Sequence, residues 1–259
     1  MKKIISALLL TSAIVASASA AFAAYVSGET KSIKVGTSTT YPPYEFMSTE
    51  GKPTGFDIEL MEAIGAKMGV KIEWFDAGKF DTLLAAIPTG KIDAAIAGMS
   101  ATTERAKKML FSDIYEVSHS AYLVATKVEA KKLEDLKGLV GAVQQGTVQE
   151  TVLLPLSKIH EFELKLFPKF DDCVLDITTG RTDVSLMDIP VAKKYMSLPA
   201  FKGKVKIGFT QIITGAGKAI AMPLGSTALA ADINKGLKAL DEDGTLQALR
   251  TKWGIGMLE

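Results

Sequence analysis

The chain has 259 residues, of which 47% are hydrophobic and 23% are charged. This composition is typical of a globular protein large enough for two modest lobes or one large domain. The formal net charge is +1, so the chain has no general electrostatic attraction for nucleic acid or for an anionic membrane, and we expect neither as a partner.

The first 23 residues have the pattern of a secretory signal peptide. Lys2 and Lys3 precede an apolar run over residues 4–18, and small residues up to Ala23 follow it. We predict cleavage after Ala23. The alternative is an uncleaved membrane anchor, because residues 4–24 approach spanning length. Cys173 is the only cysteine, so the signal region offers no residue for lipid attachment. We therefore expect a freely soluble exported protein, which is periplasmic in a cell with two membranes.

The first half of the mature chain alternates strand patterns with helix patterns. Tyr41 to Tyr44 form an extended loop around two prolines, and Asp57 is expected to cap a helix that ends at Gly69. The other predicted elements are strands over residues 32–37, 70–75 and 92–97, a hairpin turn over 50–53 and a helix over 80–87. The alternation predicts an α/β protein with parallel sheets, in which ligands bind beyond the carboxyl ends of the strands.

Residues 97–105 combine several groups that bind anions. They follow a predicted strand and form a turn that contains Ser100. Thr102 is a candidate N-cap for a helix whose first turn contains Glu104 and Arg105. A strand end, a hydroxyl, a helix N-terminus and an arginine can together bind a carboxylate or a phosphate. The alternative is an ordinary capped helix with a solvated arginine.

The second half of the chain repeats the order of the first. Residues 89–94 and 179–184 share the same pattern of helix end, turn and apolar strand, at an offset of 90 positions. A strand over 139–143 also leads into a polar turn, as the strand over 32–37 does. On this correspondence, Asp188 occupies the place of Gly98 at a strand end. The repetition predicts two similar α/β lobes that present loops to a shared cleft.

The end of the chain is predicted to return to the first lobe. A strand over 219–222 precedes helices over 227–240 and 245–253. Packing these helices on the first lobe requires two hinge crossings, near Ser118 and near Gln211. The predicted division is a signal peptide over 1–23, the first lobe over 24–118, the second lobe over 119–211 and the closing part of the first lobe over 212–259.

Six short motifs follow one another along the chain: Gly36-Thr37-Ser38, Tyr41-Pro42-Pro43-Tyr44-Glu45-Phe46, Gly55-Phe56-Asp57-Ile58-Glu59-Leu60, Gly98-Met99-Ser100, Thr103-Glu104-Arg105 and Phe111-Ser112-Asp113. Taken in this order, they resemble the polar amino-acid-binding proteins of bacterial ABC importers, solute-binding protein family 3. The resemblance covers nearly the whole mature chain. It implies a periplasmic-binding-protein-like fold, in which two α/β lobes are joined by a two-strand hinge.

The resemblance also implies how the α-groups of an amino acid would be held. Arg105 would bind the α-carboxylate, together with Ser100 and the helix N-terminus at Thr147. Asp188 would bind the α-ammonium, and the carbonyl of Gly98 would assist it. Opposed charges of this kind select a zwitterion over either singly charged analogue.

Five further residues complete the predicted ligand site. By resemblance, Tyr41 and Phe80 would form aromatic walls along the aliphatic part of the ligand. Met99 belongs to the turn, and Ser38 stands where some lysine- and ornithine-binding relatives carry an aspartate. Gln149 either contacts the ligand or only opens a helix. The form of the turn, with the closing residues 252–254, resembles arginine-binding members most.

The resemblance implies a receptor that captures a free L-amino acid by lobe closure and then docks on an inner-membrane permease. Arginine is the first expected ligand and glutamine the second, and we expect a monomer. The alternative is an enzyme of dehydratase type on the same bilobal fold, with Glu45 and Asp188 as acid and base. No cofactor or metal is expected, because His119 and His160 have no carboxylate or cysteine at metal-binding spacing.

Overall fold

The computed structural model describes residues 25–117, 119–213 and 217–256. The strands are β1 (Ser32–Thr37), β2 (Thr40–Tyr41), β3 (Glu45–Met47), β4 (Pro53–Thr54), β5 (Lys71–Asp76), β6 (Ala94–Ala95), β7 (Met109–Phe111), β8 (Ser120–Ala125), β9 (Val140–Gln144), β10 (Glu163–Phe167), β11 (Val184–Asp188), β12 (Val205–Gln211) and β13 (Ala221–Pro223). The helices are α1 (Phe56–Met68), α2 (Phe80–Ala86), α3 (Thr103–Ala106), α4 (Val148–Ile159), α5 (Phe170–Thr178), α6 (Ile189–Ser197), α7 (Thr227–Glu242) and α8 (Thr245–Trp253). The predicted signal peptide and the predicted hinge residue Ser118 lie outside the described residues.

Two five-stranded sheets form the framework. Their strand orders are β5-β1-β6-β13-β7 and β10-β9-β11-β8-β12, and a small sheet β2-β3-β4 adjoins the first. β13 comes from the end of the chain, yet it lies between β6 and β7. The chain therefore leaves the first sheet after β7 and returns to it after β12. This path supports the predicted division at 118 and 211, which stays a prediction.

Both sheets are mixed, whereas the alternation of strands and helices predicted parallel sheets. β1 pairs in parallel with β5 and β6, and β9 pairs in parallel with β10 and β11. β8 and β13 pair antiparallel with their neighbours on both sides. Parallel neighbours need a crossover connection, usually a helix. β8 and β13 follow segments that contain no described helix, so each enters its sheet directly.

Helix α1 does not begin as the sequence pattern predicted. Asp57 does not cap it; the N-cap is Gly55, which has φ +128° and makes no side-chain cap bond. A Cβ atom at Gly55 would lie 2.2 Å from the carbonyl oxygen of Tyr44, so only glycine fits there. Asp57 is instead buried and accepts hydrogen bonds from the Gly98 N–H (2.6 Å) and from the Tyr115 hydroxyl (3.0 Å). It therefore ties the start of α1 to the turn after β6.

The terminal helices pack on the first lobe, as the sequence predicted. Gly236 of α7 lies against Ile64 of α1, where a Cβ would approach the Ile64 Cγ2 atom to 3.1 Å. The Nζ of Lys252 in α8 lies 2.6 Å from Glu59 Oε1 of α1, and the indole of Trp253 packs edge-on against Phe46. Within the described ranges, no helix is both long enough and apolar enough to cross a membrane.

Candidate functional site

A cleft lies where loops from the two sheets meet, beyond the carboxyl ends of β1, β6, β9 and β11. Including its opening to solvent, it has a volume of about 340 Å³. Its lining residues are Ser38, Thr40, Tyr41, Glu45, Phe80, Ala97, Gly98, Ser100, Arg105, Gln144, Thr147, Val148, Gln149, Phe170 and Asp188. Every predicted ligand-site residue except Met99 is among them.

Met99 does not reach the cleft. Its side chain is 0% exposed and belongs to a hydrophobic cluster with Leu83 and Ile87 of the α2 segment. Its neighbours Gly98 and Ser100 line the cleft, so the turn directs Met99 to the core. The sequence prediction of Met99 as a ligand-site residue is therefore not supported for its side chain.

Arg105 lies in α3 and points into the cleft. Thr102 caps this helix, as predicted, by accepting a hydrogen bond from the Arg105 N–H at 3.3 Å. The guanidinium donates to the carbonyl oxygens of Ser100 and Gly146, each at 2.8 Å, and lies 5.4 Å from the centre of the Phe80 ring. Gly146 belongs to the second lobe, so Arg105 spans the cleft.

The charge of Arg105 is buried without an anionic partner. Among the described residues, no carboxylate lies within ion-pair distance of its guanidinium, which contacts only neutral carbonyl groups and the Phe80 ring. Burial lowers the pKa of Arg105 to about 10, so the group is still charged at neutral pH. A buried cation in this environment is stabilised by an anion that enters the cleft.

The N-terminus of α4 forms the opposite wall. Thr147 is its N-cap and accepts a hydrogen bond from the Glu150 N–H at 3.2 Å, while Glu150 accepts one from the Gly146 N–H at 2.6 Å. Gly146 has φ +79° and lies close to Leu84 of α2, so its lack of a side chain allows the two lobes to approach here. Gln149 lies in the first turn, buried and facing the cleft. The helix N-terminus thus adds favourable potential for an anion beside Arg105.

Asp188 lies at the end of β11, as the internal repeat predicted. Its Oδ2 accepts a hydrogen bond from the Tyr41 hydroxyl at 2.9 Å, and its backbone N–H donates to the same hydroxyl oxygen at 3.0 Å. Burial, and then the Asp188 carboxylate, raise the pKa of Tyr41 well above its usual value, so Tyr41 stays a hydrogen-bond donor. These bonds join β2 to the second lobe.

Lys218 also pairs with Asp188, and the sequence analysis did not identify it. Its Nζ lies 3.1 Å from Asp188 Oδ2 and 2.8 Å from Glu116 Oε2. Burial alone lowers the pKa of Lys218, but the carboxylates of Asp188 and Glu116 raise it above its usual value, so the group is charged. The available signal was a lone lysine directly before the apolar run over residues 219–222, because a lysine in such a position is buried only when it is paired.

Glu45 and Ser38 place acceptor groups along the rest of the cleft. Burial, and then the neighbouring Asp57, raise the pKa of Glu45 well above its usual value. Burial likewise raises the pKa of Asp57 to about 6. Ser38 is buried, and its hydroxyl has no hydrogen-bond partner among the described residues. Thr40, Gln144 and Phe170 also line the cleft and were not predicted.

The described residues contain no group of His, Cys, Asp and Glu side chains that could hold a metal ion. One end of the cleft presents Arg105 and the N-terminus of α4, and the other presents Asp188 and Tyr41.

Comparison with known proteins agrees with this geometry. Residues 33–256 match the family of bacterial extracellular solute-binding proteins, family 3. The arginine-binding extracellular protein ArtP of Bacillus subtilis (strain 168) is 32% identical over 232 residues, which are 87% of this chain and 87% of that protein.

Two solved structures of ancestral arginine-binding proteins are also similar. One, bound to arginine, is 36% identical with a TM-score of 0.81, and the match covers 86% of this chain and 97% of that one. The other, bound to glutamine, is 35% identical with a TM-score of 0.77 and the same coverage. Sequence, fold and cleft therefore agree, and the chain belongs to the bacterial extracellular solute-binding proteins, family 3.

Proposed function

We propose that this protein is the receptor of an ABC importer and captures a polar or basic L-amino acid, with arginine first and glutamine second. The observation that carries the proposal is the buried charge of Arg105, which has no described carboxylate partner and faces the N-terminus of α4. That arrangement is suited to an α-carboxylate. A charged hydrogen bond contributes roughly 1.5–3 kcal/mol, and a guanidinium can form two with one carboxylate.

The remaining α-group is assigned to the opposite end of the cleft. Asp188 carries a negative charge there, and Gly98 lines the cleft beside Tyr41. Phe80 and Tyr41 present ring faces to the aliphatic part of a side chain. Ser38 and Glu45 offer buried acceptor groups for a polar or cationic end of that side chain. Ser100, Thr147 and Gln149 complete the proposed contacts.

The relatives support the choice of ligand and the cellular role. The similar proteins are named for arginine binding, and one ancestral member was solved with glutamine. We therefore place this protein outside the inner membrane, where it delivers its ligand to a permease. We also propose export through the signal peptide over 1–23, cleavage after Ala23 and a monomeric state.

We do not propose an enzymatic activity. The relatives reported above are binding proteins, and Asp188, one of the two carboxylates that an enzyme would use, already pairs with Lys218 and Tyr41.

A thermal-shift screen of residues 24–259 against the common L-amino acids tests the proposal. A ligand that binds only the folded protein at 100 times its Kd adds about 2.7 kcal/mol of stability, so the true ligand raises the Tm. We expect the largest shift with arginine, followed by glutamine. If no amino acid raised the Tm, the proposed function would be wrong. Chemical turnover of a stabilising ligand would instead establish the enzyme.

Agmatine, which is arginine without its carboxylate, tests the assigned polarity of the cleft. It cannot neutralise Arg105, so we expect no saturable binding in isothermal titration calorimetry. Binding as tight as that of arginine would show that Arg105 does not hold the α-carboxylate.

A further inference from the structure

The carboxylate assigned to the ligand's α-ammonium already has a cation of the protein beside it. Lys218 is 1% exposed, and its Nζ lies 3.1 Å from Asp188 Oδ2 and 2.8 Å from Glu116 Oε2. The same ammonium lies 4.8 Å from the centre of the Tyr44 ring. Lys218 thus forms ion pairs with two carboxylates and a cation–π contact with one ring, a geometry typical of a fixed buried ion pair.

The backbone holds Lys218 in this position. Its N–H donates to the Glu116 carbonyl at 2.8 Å, and its carbonyl accepts from the Tyr115 N–H at 2.9 Å. The next residue, Ala219, donates to the Met99 carbonyl at 3.0 Å, which joins the segment to the turn that bears Gly98 and Ser100. These backbone bonds fix the Cα position of Lys218, and the side chain is held by its two carboxylate contacts.

The lysine side chain also lies directly behind the proposed ammonium end of the cleft. A Cβ atom on Gly98 would be 3.8 Å from Lys218 Cε. Gly98 is the residue whose carbonyl was expected to assist the α-ammonium, and Asp188 is the residue expected to bind it. Lys218 is not among the residues that line the cleft, so its ammonium lies on the far side of Gly98 and Asp188 and does not occupy the cleft.

This internal cation changes what a ligand must supply. A site that relies on the ligand to pair a buried carboxylate rejects analogues that lack the cation, because binding them leaves the carboxylate unpaired. Here Lys218 pairs Asp188 whether or not a ligand is present. An analogue without an α-amino group therefore loses its own contact with Asp188, but it does not leave the carboxylate alone in a closed cleft.

We propose that Lys218 is a specificity-determining residue that lets this cleft accept α-deaminated carboxylic acids alongside the amino acid with the same side chain. The inference rests on the proposed function, in which Arg105 holds the carboxylate shared by both classes of ligand. The ligand class widens to 2-oxo, 2-hydroxy and unsubstituted acids that carry the same terminal polar group. Agmatine stays excluded, because it lacks the carboxylate.

Calorimetry with arginine and 5-guanidinopentanoate, which is arginine without its α-amino group, tests the inference in the wild-type protein. If the screen ranks glutamine first, the pair is glutamine and 4-carbamoylbutanoate. We expect the deaminated acid to bind within about 30-fold of the amino acid, compared with the 10⁴-fold or greater rejection of sites that depend on a missing polar group. A difference above about 1,000-fold in the wild type overturns the inference.

The variant Lys218→Met then shows whether the lysine is responsible. Without the lysine, Asp188 depends on the ligand for a cation, so the preference for the amino acid is expected to increase at least about tenfold over the wild type. The matched control is Lys238→Met on the exposed face of α7, where the side chain is 73% exposed. This control is expected to leave the preference unchanged. An equal preference in the wild type and in Lys218→Met overturns the inference.

A double variant and the wild-type binding data distinguish an error in the role of Lys218 from an error in the proposed function. Lys218→Met leaves two buried carboxylates without their cation, so the double variant Lys218→Met with Glu116→Gln is tested beside it for folding and for the same preference. If arginine binds and the preference does not respond to either variant, only the role of Lys218 is wrong. If neither amino acid nor deaminated acid binds the wild type, both the inference and the proposed function are wrong.

Discussion

At the scale of single residues, what the cleft can bind depends on which buried charged side chains already have an oppositely charged partner in the protein. Lys218 and Asp188 compensate each other, and burial raises the pKa of Glu45, which disfavours its charged form. Asp57 has no ion pair among the described residues but accepts two hydrogen bonds, whereas Arg105 is a cation that donates only to neutral carbonyl groups. Since a buried charge is tolerated only when it is paired or strongly hydrogen-bonded, Arg105 is the residue that an incoming anion stabilises most.

Replacing Arg105 with alanine is expected to weaken ligand binding at least about 100-fold, because the ligand loses two charged hydrogen bonds of roughly 1.5–3 kcal/mol each. Calorimetry with the best ligand of the screen measures the change. Arg181→Ala is the matched control, since Arg181 pairs with Asp176 at the surface and its side chain is 59% exposed. Unchanged affinity in Arg105→Ala would remove Arg105 from the site.

Glu45 gives a prediction for stability against pH. Its pKa is raised by burial and by Asp57, and the charges of Lys218 and Asp188 also act on it. A carboxyl with a raised pKa stabilises the folded state below its usual pKa of 4.5, and this contribution is lost as pH rises through the raised value. The ligand-free wild type is therefore expected to lose stability relative to Glu45→Gln between pH 5 and pH 8.

Urea denaturation of both proteins at the two pH values measures this difference. We expect the gap in free energy of unfolding to widen from pH 5 to pH 8, because the raised pKa of Glu45 disfavours its charged form in the folded protein. Ionisations of groups that do not interact with Glu45 act on both proteins alike and cancel in the comparison. A gap that stayed constant, or that shrank as pH rose, would show that Glu45 is not held protonated.

At the scale of elements, the N-termini of α3 and α4 bring together the groups that we propose bind the ligand's carboxylate. Thr102 caps α3 and so sets the direction of Arg105, and Thr147 caps α4 on the facing lobe. Gly146 precedes the second cap at φ +79°, where a side chain would be strained and would crowd Leu84. The cleft therefore depends on capping residues as much as on the residues that contact ligand.

Replacing Thr147 with valine removes the capping hydroxyl and is expected to destabilise the protein by about 1 kcal/mol. It is also expected to weaken ligand binding, because the first turn of α4 is no longer held against the cleft. Thr147→Ser keeps the hydroxyl and serves as the control. Equal stability of Thr147→Val and the wild type in chemical denaturation would show that the cap contributes nothing.

At the scale of the whole molecule, the two lobes are joined by contacts that centre on Asp188 and Arg105. The Tyr41 ring also lies 4.7 Å from the Phe170 ring, so the lobes touch across the cleft in this structure. Closure on a ligand requires differential affinity for the closed state, and a ligand gains this when it contacts both lobes. Arg105 and Asp188 are on different lobes, so a ligand held by both meets this condition.

Small-angle X-ray scattering tests the closure. A saturating ligand is expected to lower the radius of gyration of residues 24–259, because it shifts the population toward the closed arrangement. Arg105→Ala at the same ligand concentration is expected to show no change. A wild-type radius that stayed constant at a ligand concentration shown by calorimetry to be saturating would count against hinge closure.

Much of the fold was predictable because it depends on local patterns. The bounds of β1 and α8 match their predicted ranges, and Thr102 and Thr147 cap helices where hydroxyls precede an acidic residue. The internal repeat placed Asp188 at a strand end opposite Gly98. These features follow from residue type and spacing within a few positions, which a sequence displays directly.

The tertiary structure decided the features that depend on residues distant in the chain. Asp57 looked like the N-cap of α1. The N-cap is instead Gly55, where the close approach of Tyr44 requires glycine, and Asp57 accepts a hydrogen bond from the Gly98 N–H. The burial of Met99 and the pairing of Lys218 with Glu116 and Asp188 were equally invisible in the sequence. The sequence by itself thus determined the family and the two lobes, and it pointed to Arg105 as a candidate anion-binding residue. Only the folded chain decided how buried charges are paired, because compensation of charge depends on distances across the cleft.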